Sequence, residues 1–356
     1  MRKFIVFSAL SAAILLTSCK TESNMSVYNG DYTVDGNTSI NVNGYSADLS
    51  DYENAEISIS MADGQNCDII LRNFITGQPE VIIPGILSED ASGAGISFNG
   101  DGSTTDRTVA VEGSAAGTSI SSITITEHIT VDGIPGEWAI GSVSVTFYHP
   151  DLETIDFSEA VPGLQINVQD LIAEINTSIA RTLEESGPAS HLWFTEDGYF
   201  NEPPLCSYYI RPQESTINIF LRKSIVTELT DELKNNPDAM NLISMLGFTS
   251  LIENPQSMNI ALQYRIENNG ITLIASQTLL DPYEEMLAQP LSVIRALLDQ
   301  YITYETLAGD PDLEGIITPE NFPAFKQVLM NTYDTLTDGR AEYSMTLGLV
   351  PYSAAL

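Results

Sequence analysis

The sequence predicts a mainly β protein whose C-terminal half is α+β: an antiparallel barrel or sandwich with helical insertions. Three observations predict it. Residues 28–150 alternate apolar and polar positions with period two and are broken by Asp-Gly and Asn-Gly turns. Further along, apolar positions recur at helical spacing. The chain then closes on an alternating segment, which needs a sheet to join.

The alternating runs begin with YNGDYTV at 28–34 and continue at 39–44, 55–61, 67–74, 80–87, 95–100, 107–113, 120–131 and 142–149. Between them lie Asp35-Gly36, Asn43-Gly44, Asp63-Gly64, Asp101-Gly102 and Asp132-Gly133, the dipeptides that supply positive φ to tight hairpin turns. About eight or nine short strands at this spacing form a barrel or sandwich.

In the second half, Asn167 can cap a helix whose Val168, Leu171, Ile172, Ile175, Ile179 and Leu183 make one buried face. Further helices are expected at 224–234, 238–246, 291–301 and 323–336. Residues 257–267 and 270–278 flank Asn268-Asn269 as a hairpin. Ala341, Tyr343, Met345, Leu347 and Leu349 alternate along a terminal strand. The expected organisation is an antiparallel β-barrel-like domain over 28–150 and an α+β domain over 151–356, with the boundary near 150–165.

Ahead of these stands MRKFIVFSALSAAILLTSCKTESN. Arg2 and Lys3 precede an apolar core, Phe4 to Leu16, too short to span a bilayer. Leu16-Thr17-Ser18-Cys19 resembles the lipobox of bacterial lipoproteins, with a branched residue and two small ones before the cysteine that takes up diacylglycerol. Residues 1–18 are then a signal peptide, Cys19 the lipidation site and 19–27 a polar tether. Each buried acyl CH₂ adds roughly 0.8 kcal/mol, so several chains on one terminus anchor the protein to a membrane. Lys20 after the cysteine is compatible with the outer membrane, on either its periplasmic or its cell-surface side.

The formal charge is −34, and removal of residues 1–18, which hold Arg2 and Lys3 but no acidic residue, makes it −36. Such a surface repels nucleic acid and anionic headgroups. Beyond Cys19 only Cys67 and Cys206 remain, and their separation in sequence gives no geometric support for a bridge, so buried free thiols are expected.

Catalytic signatures are missing: there is no G-x-S-x-G, H-E-x-x-H, C-x-x-C or P-loop, and His128, His149 and His191 are isolated in sequence. The reading is therefore non-enzymatic, with no catalytic residue assigned. One segment has metal-ligand spacing. DPDLEGIITPENF at 310–322 resembles an EF-hand loop, with oxygens at Asp310, Asp312 and Glu314, Gly315 at the sharp turn, Ile317 packed beneath and Thr318 at the ninth position. The twelfth position is Asn321 instead of the bidentate glutamate, so any calcium affinity is weak. The same residues also read as a tight acidic turn in which Thr318 caps the next helix and Pro319 starts it. Tyr199, Phe200, Tyr208 and Tyr209 read as core packing rather than as a sugar platform.

Taken together, YNGDYTV, the pair ISISMADG and CDIILRNF, the segment GSVSVTFYHP, then LWFTEDGYF, YYIRP and STINIFLRK resemble the calycin-like lipoproteins of Gram-negative gut bacteria. The resemblance implies a lipocalin-like barrel tethered to the envelope, with the helical insertions capping or filling its mouth. Two functions follow as expectations. In one, the barrel binds a small apolar or amphipathic ligand. In the other, a structural lipoprotein docks on a glycan or an envelope protein. A binder leaves an apolar volume empty, and a structural module fills it.

Overall fold

The computed structural model describes residues 25–89, 95–152, 155–158, 160–162, 164, 167–186, 191–201, 203–204, 206–245, 249–253, 255–267, 270–276, 284–308, 313 and 315–352. It is mainly β, with a closed antiparallel barrel and a helical C-terminal region, as the strand alternation and helical spacing predict. The chain divides into two compact units, 1–103 with 109–126, and 104–108 with 127–356.

The first unit carries β1 (Gly30–Thr33), β2 (Ser39–Val42), β3 (Tyr45–Ser46), β4 (Glu56–Asp63), β5 (Asn66–Ile75), β6 (Gln78–Glu89), β7 (Gly95–Ser103) and most of β8 (Arg107–Ala116) and β9 (Ser119–Ile129), whose residues 107–108 and 127–129 belong to the second unit. They form one sheet in the order β1-β4-β5-β6-β7-β8-β9-β2-β3, and β1 also meets β9 in parallel at Thr33 and Ser119. That contact joins β1, at one end of the row, to β9, with β2 and β3 continuing beyond it, around a packed interior. Ile57, Ile69, Leu71, Ile83, Phe98, Ile123 and Ile125 are essentially inaccessible there. Between β2 and β3, Asn43 and Gly44 both have positive φ, 53° and 88°, the conformation that a two-residue hairpin matched to strand twist demands.

The second unit carries β10 (Gly136–Tyr148), α1 (Val168–Ser186), β11 (Leu192–Phe194), β12 (Tyr199–Phe200), β13 (Cys206–Arg211), β14 (Thr216–Leu221), α2 (Lys223–Lys234), α3 (Pro237–Met245) and α4 (Thr249–Glu253). It continues with β15 (Met258–Glu267), β16 (Gly270–Ser276), α5 (Glu284–Tyr301), α6 (Tyr304–Ala308), α7 (Phe322–Leu336) and β17 (Glu342–Pro351). The strands β10 to β17 close an eight-stranded barrel in sequence order, and β17 pairs antiparallel with both β16 and β10. The terminal alternating segment thus closes the ring.

Two expectations change here. The division of the chain falls at 126/127 rather than at 150–165, because β10 finds its partner in β17 at the far end of the sequence. The closed antiparallel barrel accordingly belongs to the second unit and not to 28–150. The α1 helix also differs from its predicted fully buried face. Asn167 caps it as expected, its Oδ1 accepting from the N–H groups of Gln169 (3.0 Å) and Asp170 (3.3 Å). Of the apolar face, however, only Val168 is buried, and Leu171, Ile175 and Ile179 stay 44–48 % exposed. Among the described residues no helix is long and apolar enough to cross a membrane.

Candidate ligand-binding site

Strand alternation puts Val143, Val145 and Phe147 of β10 on the same face as their partners Leu347, Met345 and Tyr343 of β17. Toward one end this face runs into the barrel core, where Trp138, Phe194, Tyr208, Ile210, Ile217, Ile271 and Leu349 pack together. Toward the other end it does not fill. A cavity of about 500 Å³ lies between Val145, Phe147, Tyr343 and Met345 of the strands and Ile172, Ile175 and Ile179 of α1, with Ala275 of β16 and Leu336 of α7 completing the wall. The lining is almost wholly apolar. The "exposed" isoleucines of α1 are exposed into this space.

Why the helix lies there follows from its own sequence and one tie. A register shift in β10 between Ile140 and Ser142 bulges the strand, and the Glu184 carboxylate near the end of α1 accepts the Val143 N–H at 2.9 Å. Asn176 adds one amide to the α1 side of the pocket, and Thr146 and Ser344 border it from the strands, their side chains on the opposite face from Val145, Phe147, Tyr343 and Met345. The two hydroxyls bond each other at 2.7 Å.

Next to the cavity in sequence lies a polar knot. His149 is buried, accepts the Asp151 N–H at Nδ1 (3.1 Å), and so carries its proton on Nε2, which donates to Asp338 (3.1 Å). Arg340 is bonded to both Asp338 and Asp151. Hydrogen bonding from Arg340 holds the Asp338 carboxyl down at about 2. The knot joins the end of β10 to the start of β17, the two strands that wall the cavity.

A second buried charge cluster sits apart from the cavity. Arg107 is 1 % exposed, and its guanidinium grips Asp106 (2.8 and 3.2 Å), the Glu127 carboxylate and the Tyr208 carbonyl (3.0 Å). Asp106 also accepts the Ile210 N–H at 2.9 Å and the Thr104 hydroxyl at 2.9 Å. Burial opposes both charges, yet the pairing outweighs it. Asp106 is held below the usual carboxylate range and Arg107 is pushed further up. Gly198 passes so close that a Cβ would stand 3.3 Å from the guanidinium, and its φ of 85° already favours glycine. Every polar atom here is satisfied, which marks the cluster as a structural clasp.

Of the site residues expected from sequence, Cys19, Asp310, Asp312 and Glu314 lie outside the described residues. Thr318 is described, and its hydroxyl accepts the Asn321 N–H (3.4 Å), while Asn321 turns its own side chain back to the Ile316 carbonyl (2.9 Å) and the Thr318 N–H (2.7 Å). The residue in the twelfth position thus closes the turn. Gly315 has φ 74° and Ile317 is buried, and the helix starts at Phe322 with Pro323 in its first turn, not at Pro319. Cys67 and Cys206 are free, and burial raises both thiols away from thiolate. Tyr199, Tyr208 and Tyr209 are core residues. His128 is exposed on β9.

Sequence reading missed Asn176, Ala275 and the clasp. A signal for the clasp was present: Arg107 and Glu127 occupy inward positions of the alternations Arg107-Val109-Val111 and Ile123-Ile125-Glu127-Ile129. For Asn176 the signal was an amide four residues after Ile172 on an otherwise apolar helix face. Comparison with protein-family models, with curated proteins and with solved structures finds no match to this chain.

Proposed function

We propose that this chain is a lipid-anchored, non-enzymatic protein of the outer membrane that holds a small apolar or amphipathic molecule in the cavity beside α1. The observation that carries the reading is the open apolar pocket of about 500 Å³ between α1 and the strands β10 and β17, at the end of the barrel away from its packed core. That size falls within the usual range of ligand sites, and each CH₂ transferred into it from water contributes ~0.8 kcal/mol. The lipobox at Cys19 and the calycin-like layout support the anchor and the carrier role respectively. Native mass spectrometry of the protein purified gently from its own membranes tests the ligand: a bound organic mass is expected. A bare polypeptide that also fails to take up the apolar dye Nile red overturns the reading. Loss of membrane association in Cys19→Ser tests the anchor.

The second reading, docking on a glycan or an envelope protein, has one observation in its favour. Trp193 is 40 % exposed and hydrogen-bond-register paired with Glu137, which also faces His191 (3.3 Å), and His191 in turn packs on Tyr352 at 4.5 Å between ring centroids. Trp193 fluorescence titrated with envelope glycan fragments distinguishes this reading, because Trp138 is buried and silent to such ligands.

A further inference from the structure

We infer that the cavity selects an uncharged single-chain compound, an alkyl or acyl chain bearing one neutral hydroxyl, ester or amide, and that Asn176 is the residue that recognises that group. The inference rests on the carrier reading above and specifies its ligand.

Size limits the chain. About 500 Å³ corresponds to roughly seventeen water-sized units at ~30 Å³ each, and a methylene takes up a similar volume, so the pocket matches one chain of ordinary length.

Charge is excluded by what surrounds that volume. Among the described residues no aspartate, glutamate, lysine, arginine or histidine lines it. A carboxylate or phosphate drawn inside would lose its hydration with no cation to replace it. Arg340, two residues before β17, is engaged by Asp338 and Asp151. Arg181, the one basic residue of α1, follows the pocket-lining Ile172 by nine positions, two and a half turns, and therefore projects from the opposite side of the helix. The chain's charge of −34 adds a general repulsion of anions.

Polarity is admitted at one point. Asn176 lies on the cavity face of α1, and among the described residues its amide makes no hydrogen bond, whereas the Thr146 and Ser344 hydroxyls satisfy each other. An amide offers both a donor and an acceptor, which suits a hydroxyl, an ester carbonyl or an amide and gives no advantage to an ion. An alkane would leave that amide unpaired, so the site prefers the polar-tagged chain over the bare one.

The test is displacement of Nile red from the purified full-length protein and from Asn176→Leu by dodecane, dodecanol and dodecanoate, at mildly alkaline pH where the acid is ionised. In the native protein, dodecanol is expected to compete best, about threefold to tenfold better than dodecane and at least about tenfold better than dodecanoate. In Asn176→Leu the preference of dodecanol over dodecane disappears while dodecane still competes. Dodecanoate competing as well as dodecanol, or an unchanged alcohol-to-alkane ratio in the variant, overturns the inference and leaves the carrier reading standing. Failure of all three to displace the dye overturns both. A Nile red spectrum in the variant like that of the native protein shows the cavity to be intact; if the variant does not fold, Asn176→Ser carries the same comparison.

Discussion

The two units are both built from antiparallel strands with alternating side chains, yet one is packed to the centre and the other is not. On β5 the inward Cys67, Ile69 and Leu71 are at most 2 % exposed, whereas on β17 the same alternation leaves Tyr343, Met345 and Leu347 only half-buried. Inward residues of the first unit are mostly β-branched or aromatic and meet their like across the interior. At the open end of the second barrel the facing surface is a helix, α1, whose isoleucines stop short of the strands. An apolar pattern therefore states which side of a strand avoids water. It does not state whether another side chain or a ligand will cover it.

Substitutions can break this contrast in order of expected effect. The largest belongs to the clasp: Arg107→Ala leaves Asp106 and Glu127 buried without their cation and is expected to cost about 3–5 kcal/mol, read by urea unfolding. A change within experimental error would show the clasp to be dispensable. Truncation then sets the two interiors side by side. Phe98→Ala in the packed unit should cost about 3–5 kcal/mol, against about 1 kcal/mol or less for Met345→Ala in the cavity wall. Equal losses would mean that the cavity is filled in solution.

Ligand binding sharpens the contrast further. Ala275→Phe, which fills the cavity, and Ile175→Gln, which makes its wall polar, should each weaken Nile red binding by at least about tenfold. Stability should move by no more than about 0.5–1 kcal/mol for Ile175→Gln, because that side chain is exposed to the cavity in the unliganded protein. Retained dye binding in both variants would place the site elsewhere.

The smallest effect is electrostatic. The folded Asp338 carboxyl lies at about 2 against an ordinary 3.8, so its contribution to stability is complete above 3.8 and is lost as pH falls through that interval. In Asp338→Asn the slope of stability against pH in that interval should flatten, with little change at neutral pH beyond the loss of its bonds to Arg340 and His149. An unaltered slope would remove the knot from the acid response.

Much of the local structure was legible in the residues themselves. The Asn43-Gly44 turn, the Asn167 cap, the strand pair 258–267 and 270–276, and the terminal strand all follow from short-range stereochemistry and periodicity. The domain boundary was not, because residues 142–149 alternate just as the preceding strands do, and nothing local distinguishes a strand that pairs with its neighbour from one that pairs with residues 342–351. The EF-hand-like spacing was legible as a pattern, and what the fold adds to it is that the Asn321 side chain bonds to Ile316 and Thr318 and closes the turn before α7.

By itself, then, the sequence determined which segments are strands and helices, which of their faces are apolar, and how acidic the surface is, since these depend on neighbours within a few residues. The tertiary structure alone decided that β17 closes a barrel through β10, that Arg107 meets Glu127 and Tyr208, and that the apolar face of α1 borders an empty volume. Those outcomes depend on pairings between residues up to about two hundred positions apart, whose energy is realised only when the whole ring has formed.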